Sequence, residues 1–321
     1  PDHEERHWAE THGWIAREFR VTWEVAVALL ERGVPFTLTT VATRSAHLQA
    51  VVGFDARLGL LLIRDPYQRT HGECLGKPFL ENCASHGPRG MVLLPPDRSM
   101  LLDGIELPDA ALYDSWYAVR RALLRHDRAA AQTAADTLEA IAPAHRLALQ
   151  AQRELAFYDG NVLRQLEATR PLLKRYAEDP NFLLDEAQLL RGLGYAKERR
   201  ERVEVLGRKR HADTLFLREY IEMLTDDARF HPRALRLARR LLRRHAIEAG
   251  NLRTFANLLW SRQQFAEATA VYRLAACVGD KTEHHWDAYF IASLHTQQVE
   301  RCLDLLRLRE VRLGLQSSQP V

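Results

Sequence analysis

His47 and Asp65 are the two residues whose types and spacing could do chemistry together. Residues 45–55 read Ser-Ala-His-Leu-Gln-Ala-Val-Val-Gly-Phe-Asp, and residues 60–66 read Leu-Leu-Leu-Ile-Arg-Asp-Pro. Both are short apolar runs bounded by Gly, Pro or Asp, which predicts the two strands of a hairpin. His47 opens one strand and Asp65 closes the other. If the loop between them holds an odd number of residues, 55–57 or 54–58, His47 and Asp65 stand directly opposite each other on one face. Their Cβ atoms would then be about 4.5–5.5 Å apart. At that distance a carboxylate orients an imidazole and stabilises its protonated form, the second half of a nucleophile–His–Asp triad. A loop of even length would put them on opposite faces.

Other candidates point to blander roles. His71, Cys74, Cys83 and His86 form a His-x2-Cys-x8-Cys-x2-His pattern, but the ligand order and the short separation do not suit a zinc finger, so loop residues and no metal are expected. His284 and His285 are adjacent at the start of a repeat helix, about 100° apart around its axis, and read as surface residues at a turn. Cys277 and Cys302 read as packing residues. Arg236, Arg239, Arg240, Arg243 and Arg244 recur at spacings of three and four, the pattern of a solvated helix face. No Gly-rich phosphate loop is present, so neither an ATPase nor a cofactor site is implied.

The elements that must hold the pair come from the first third of the chain. Residues 23–32 carry apolar side chains at helical spacing, closed by Gly33, which predicts a helix with a glycine cap. Strands are predicted over 35–41, 46–54, 60–65 and 90–94. One helix feeding a mostly antiparallel sheet is an α+β unit, assigned to residues 1–94. Residues 95–108 are a proline-punctuated linker. From 109 to 314 strand signals stop, and Ala, Leu, Arg and Glu recur at helical spacing, followed by a tail over 315–321.

A 34-residue period runs through that helical part. Ala234, Ala268 and Cys302 stand 34 apart, as do Ile221, Phe255 and Tyr289, and Ala238, Tyr272 and Leu306. Such a period marks a solenoid of stacked helix pairs. Before residue 215 the register is not legible, although Asp179-Pro180-Asn181 reads as a turn between repeats. The chain holds 45 Lys and Arg against 42 Asp and Glu, without the lopsided basicity of a nucleic-acid binder. No apolar run approaches a membrane span. Four cysteines in 321 residues are too few for a disulfide scaffold, which suits a reducing, cytoplasmic setting. The chain opens at Pro1 and its first Met is Met91, so it is expected to be a fragment.

Two resemblances follow from these residues. Gly33-Val34-Pro35-Phe36 leads into a strand, Ala46-His47 precedes Val51-Val52-Gly53-Phe54-Asp55, and Asp65 is followed by Pro66. In order and spacing, over residues 13–95, this resembles the papain-like cysteine peptidases that process double-glycine leader peptides of bacteriocins. The resemblance implies a papain-like half-domain in a bacterial protein, amide hydrolysis of a peptide or protein substrate, His47 as general base and Asp65 as its orienter. In that family the nucleophilic Cys, with a Gln just before it, sits on a helix upstream of the His. Here no Cys precedes His47, and Cys74 and Cys83 follow Asp65 in the wrong order. Either the nucleophile lies before Pro1, leaving the chain as it stands inactive, or the domain is a degenerate, non-catalytic peptide-binding adaptor. The helical part resembles the tetratricopeptide repeat, whose unit is best seen in Leu252, Phe255, Ala256, Leu259, Ala268, Tyr272 and Ala275. That resemblance implies a protein partner on the concave face of the solenoid.

Overall fold

Short runs rich in Val, Leu, Ile and Thr, bounded by Gly, Pro or Asp, favour strands. In the computed structural model, which describes residues 2–207 and 213–314, they form one six-stranded antiparallel sheet. Its strands are β1 (Ile15–Arg20), β2 (Phe36–Ala42), β3 (Ser45–Asp55), β4 (Leu60–Arg64), β5 (Gly72–Leu75) and β6 (Arg89–Leu94), in the spatial order β1-β6-β2-β3-β4-β5. Helix α1 (Asp2–Thr11) precedes β1, α2 (Trp23–Glu31) links β1 to β2, and α3 (Gly76–Asn82) follows β5.

Helix α2 is set by its ends. The Thr22 side chain accepts the Val25 N–H, an N-cap that satisfies one orphan donor. Gly33 leaves the helix with φ of +71°, a left-handed turn that costs glycine little. Between them Ala26 and Leu29 bury against Phe36, Leu38, Val51, Leu61 and Val92 from one face of the sheet. Burying a Leu or Phe side chain there is worth about 1.5–3 kcal/mol, so α2 is fixed by packing as well as by its caps.

The β3–β4 hairpin departs from expectation. Asp55 pairs with Leu60, so the loop is residues 56–59, four long and even rather than odd. The register then shifts between Val51 and Gly53. This is a β-bulge, one extra residue on β3 opposite one step of β4.

The rest of the chain is helical: α4 (Ala110–Leu124), α5 (Arg128–Ile141), α6 (Arg146–Tyr158), α7 (Val162–Arg175), α8 (Pro180–Gly192), α9 (Ala196–Gly207), α10 (Thr214–Thr225), α11 (His231–Arg244), α12 (Ala249–Ser261), α13 (Phe265–Val278), α14 (Glu283–His295) and α15 (Val299–Leu313). Alternate helices begin at Ala110, Arg146, Pro180, Thr214, Ala249 and Glu283, a step of 34 to 36 residues, so the repeat reaches back to residue 110. Asp127, Asn161, Asp179 and Asp213 cap four of these helices through their side chains. No described helix is long and apolar enough to cross a membrane.

The chain divides into two compact units, Pro1–Gly194 and Tyr195–Val321. Helices α4 to α8 therefore share a unit with the sheet. Within 95–108, a 3-10 helix (Pro96–Leu102) and the residues after it lay Leu101, Leu102, Ile105 and Leu107 against the sheet core. The tail over 315–321 lies outside the described residues.

Candidate active site

The bulge restores what the even loop would have broken. Continued down from Asp55–Leu60 without it, the ladder would set Asp65 across from Ala50. With it, Ala50 pairs with Arg64, and one step further Gln49 stands across from Asp65. Gln49 and His47 are two residues apart on β3 and so share a face. Asp65 is thus diagonal to His47 rather than directly opposite, and the imidazole spans the gap: His47 Nε2 lies 2.8 Å from Asp65 Oδ2.

The carboxylate is held from three directions. Gln49 Nε2 donates to the same Oδ2 at 2.9 Å, and the Tyr67 amide donates to Oδ1 at 2.8 Å. The second bond is an Asx turn over Asp65-Pro66-Tyr67. The Tyr67 amide, then Gln49, and after them His47, hold the Asp65 carboxyl below the usual carboxylate range, so it stays ionised and can only accept. In neutral His47 the proton is therefore on Nε2, and Nδ1 carries the lone pair. Nδ1 has no hydrogen-bond partner among the described residues. The ring is about one-third exposed, and the Tyr67 ring stacks on it at 5.4 Å between centroids. The arrangement is a base held in one tautomer, open on one nitrogen.

No thiol of the same unit stands with it. Cys74 lies across from Leu61, four residues along β4 from Asp65, an offset of about 13 Å at 3.3 Å per residue. Burial pushes the Cys74 and Cys83 thiols up, away from the thiolate that would react. Cys277 and Cys302 belong to the second unit, where burial also pushes Cys302 up. A cavity of about 220 Å3 reaches His47, but its other sheet residues, Glu18, Thr39, Ala46, Leu48 and Arg89, belong to the opposite face by register. There Arg89 bonds Glu18 at 2.9 Å and Thr39 at 3.2 Å, a buried pair that helps fasten β6 to its neighbours.

The remaining candidates fall elsewhere. No group of three or more His, Cys, Asp or Glu among the described residues could hold a metal ion, and His86 is directed to Asp179 instead. His285 is buried rather than on the surface; burial first, then its neighbours His284, Arg253 and Arg218, bring its pKa down to about 4. The five arginines of α11 are all exposed, opposite buried Ala234, Ala238 and Leu241. Gln49 and Tyr67 complete the site without a signature of their own in the sequence.

A six-stranded antiparallel sheet carrying a His–Asp pair is thus followed by helices that repeat at a step of 34 to 36 residues. Residues 3–78 match the model of the Peptidase_C39 like family. Among solved structures, the chain is similar to a tetratricopeptide repeat protein from Parabacteroides merdae (12% identity, 66% of this chain and 81% of that one, TM-score 0.48). It is also similar to pilF of Pseudomonas aeruginosa (14%, 65% and 94%, TM-score 0.44) and to PilW, described as a widely conserved type IV pilus biogenesis factor (10%, 65% and 96%, TM-score 0.47). No curated protein matches the chain.

Proposed function

We propose that the sheet domain is the base-bearing part of a cysteine-peptidase site, with His47 as general base and Asp65 as its orienter. The observation that supports this most directly is the open Nδ1 of an imidazole whose Nε2 is tied to an ionised carboxylate. Such a base takes the proton from a thiol as it attacks an amide carbonyl and returns it to the leaving amine. In this reading the thiol is one that precedes His47 in chain order, and neither Cys74, which is offset along β4, nor Cys83 serves, since burial pushes both thiols up. The helical repeats bind a peptide or protein along the concave face that stacked helix pairs present. A reducing, cytoplasmic setting is part of this reading on the sequence alone, since four cysteines in 321 residues are too few for a disulfide scaffold.

An activated ester such as p-nitrophenyl acetate tests the base without needing the thiol, because an open imidazole nitrogen attacks it directly. The 321-residue chain should hydrolyse the ester faster than its His47→Ala variant, while leaving peptide bonds intact. Equal rates for the two chains would remove the base, and the domain would then be a peptide-binding adaptor.

A further inference from the structure

The strand segment that carries His47 projects beyond the body of the sheet. β2 pairs with β6 only over Phe36–Thr39, and β3 pairs with β4 only from Ala50 onward. Residues 40–49 therefore form a two-stranded ribbon, closed by the turn Thr43-Arg44 between Ala42 and Ser45. A two-stranded ribbon is marginal in water by itself. His47 stands only two residues from its tip, so whatever holds the tip sets where the imidazole is.

Helix α8 holds it. The Asn181 side chain accepts the Arg44 N–H at 2.8 Å and donates to the Ala42 carbonyl at 3.2 Å, so one amide bonds the backbone on both sides of Thr43. The Arg44 guanidinium continues along α8, donating to Asp185 Oδ1 at 2.6 Å and Gln188 Oε1 at 3.1 Å. Asp185 is in turn paired with Arg153 of α6. The loop before β6 meets the same helix end: Ser85 Oγ donates to Asp179 Oδ2 at 2.7 Å, and His86 Nε2 lies 2.9 Å from it. Asp179 Oδ1 meanwhile caps α8 by accepting the Asn181 and Phe182 amides.

We propose that α8 is a positioning element for the His47 site: Asn181 and Asp185 fix the tip of the ribbon and thereby the place and tautomer of the imidazole. The role of that imidazole as a base rests on the function proposed above; its dependence on α8 does not. Contacts between residues 137 to 144 apart in sequence make the first helical repeats part of the site's support. They are more than a neighbour joined to it by a linker.

The test is the 15N spectrum of the full chain labelled at histidine, with the His47 signals assigned by their loss in His47→Gln. A fixed tautomer gives two well-separated ring-nitrogen shifts. Asn181→Ala and Arg44→Ala should draw those shifts together as the ring samples both tautomers. Asn181→Asp keeps the acceptor for the Arg44 amide but loses the donor, and should give a smaller change. Arg128→Ala breaks an ion pair with Asp159 that links α5 to the end of α6, away from the ribbon, and should leave His47 unmoved. Unchanged His47 shifts in folded Asn181→Ala and Arg44→Ala would overturn the proposal. If Asn181→Ala does not fold, Gln188→Ala removes only the outermost contact, and unmoved shifts in that variant and in Arg44→Ala would overturn it equally. A shifted spectrum with no His47-dependent ester hydrolysis would sink the base and leave the positioning intact.

Discussion

Asp65 turns both carboxylate oxygens toward donors, one to the Tyr67 amide and the other shared by Gln49 and His47. An amide in its place has only one oxygen. In Asp65→Asn, keeping the Asx turn on the Tyr67 N–H would aim the new NH2 at His47, which must then accept on Nε2 and move its proton to Nδ1. The lone pair needed outside would be facing inward. The 15N spectrum should show the protonated nitrogen change from ε2 to δ1. The His47-dependent part of ester hydrolysis should fall at least ~10-fold, a conservative bound set below the about 10²–10⁴-fold that a positioned acid or base contributes. An unchanged tautomer would mean that Asp65 does not orient the ring. His47 and Asp65 were legible because each sits inside a short, ordered signature, the strand start at Ala46-His47 and the Asp65-Pro66 stop. Gln49 was not, because a glutamine two residues from a histidine on a strand is ordinary, and only the register shows that it faces Asp65.

At the level of elements, the register on either side of the bulge between Val51 and Gly53 sets the face on which Asp65 lies. The four-residue loop alone would separate Asp65 from His47, and a bulge between Val51 and Gly53 brings them back. A sequence pattern with period two cannot show one extra residue inside an otherwise regular run, which is why the odd loop was expected and a direct pairing with it. Deleting Val52 should turn the bulge into a regular ladder with Val51 still on Ile63 and Gly53 still on Leu62. His47 and Asp65 would stay on one face. Val52 is 44% exposed, so the deletion should cost about 1 kcal/mol or less, and the His47 nitrogen shifts should be retained. Loss of those shifts in a folded chain would show that the register is set elsewhere. β1 and β5 were hidden for different reasons. β1 carries Arg17, Glu18 and Arg20, which break the apolar alternation, yet Glu18 is buried because Arg89 meets it across the sheet. β5 is four residues on the sheet edge, too short to carry a period.

Across the whole molecule the 34-residue step is more regular than the side chains that announce it. Ala234, Ala268 and Cys302 occupy the fourth residue of α11, α13 and α15, and all three are buried. The same position holds Gln165 in α7 and Arg199 in α9. Arg199 is buried, yet it is satisfied by Glu219 and Asp226, so a charge pair stands where a small residue would have marked the repeat. That substitution hid the register before residue 215. It also identifies where the array is most sensitive. Ala268 is fully buried among Ala256, Tyr272, Trp286 and Tyr289, where α12, α13 and α14 meet. Ala268→Leu would force three more carbons into that junction, at a cost of about 1–3 kcal/mol. Because each repeat is stabilised by its neighbours, the loss should spread through the second compact unit. Arg243→Ala, on an exposed face, should change stability by well under 1 kcal/mol. Hydrogen exchange resolves the two units: Ala268→Leu should speed exchange across α12 to α15 and leave the sheet strands β2, β3 and β6 near their original rates. Equal exchange in the two variants would mean that Ala268 is not a close-packed junction and that the 34-residue register is misplaced.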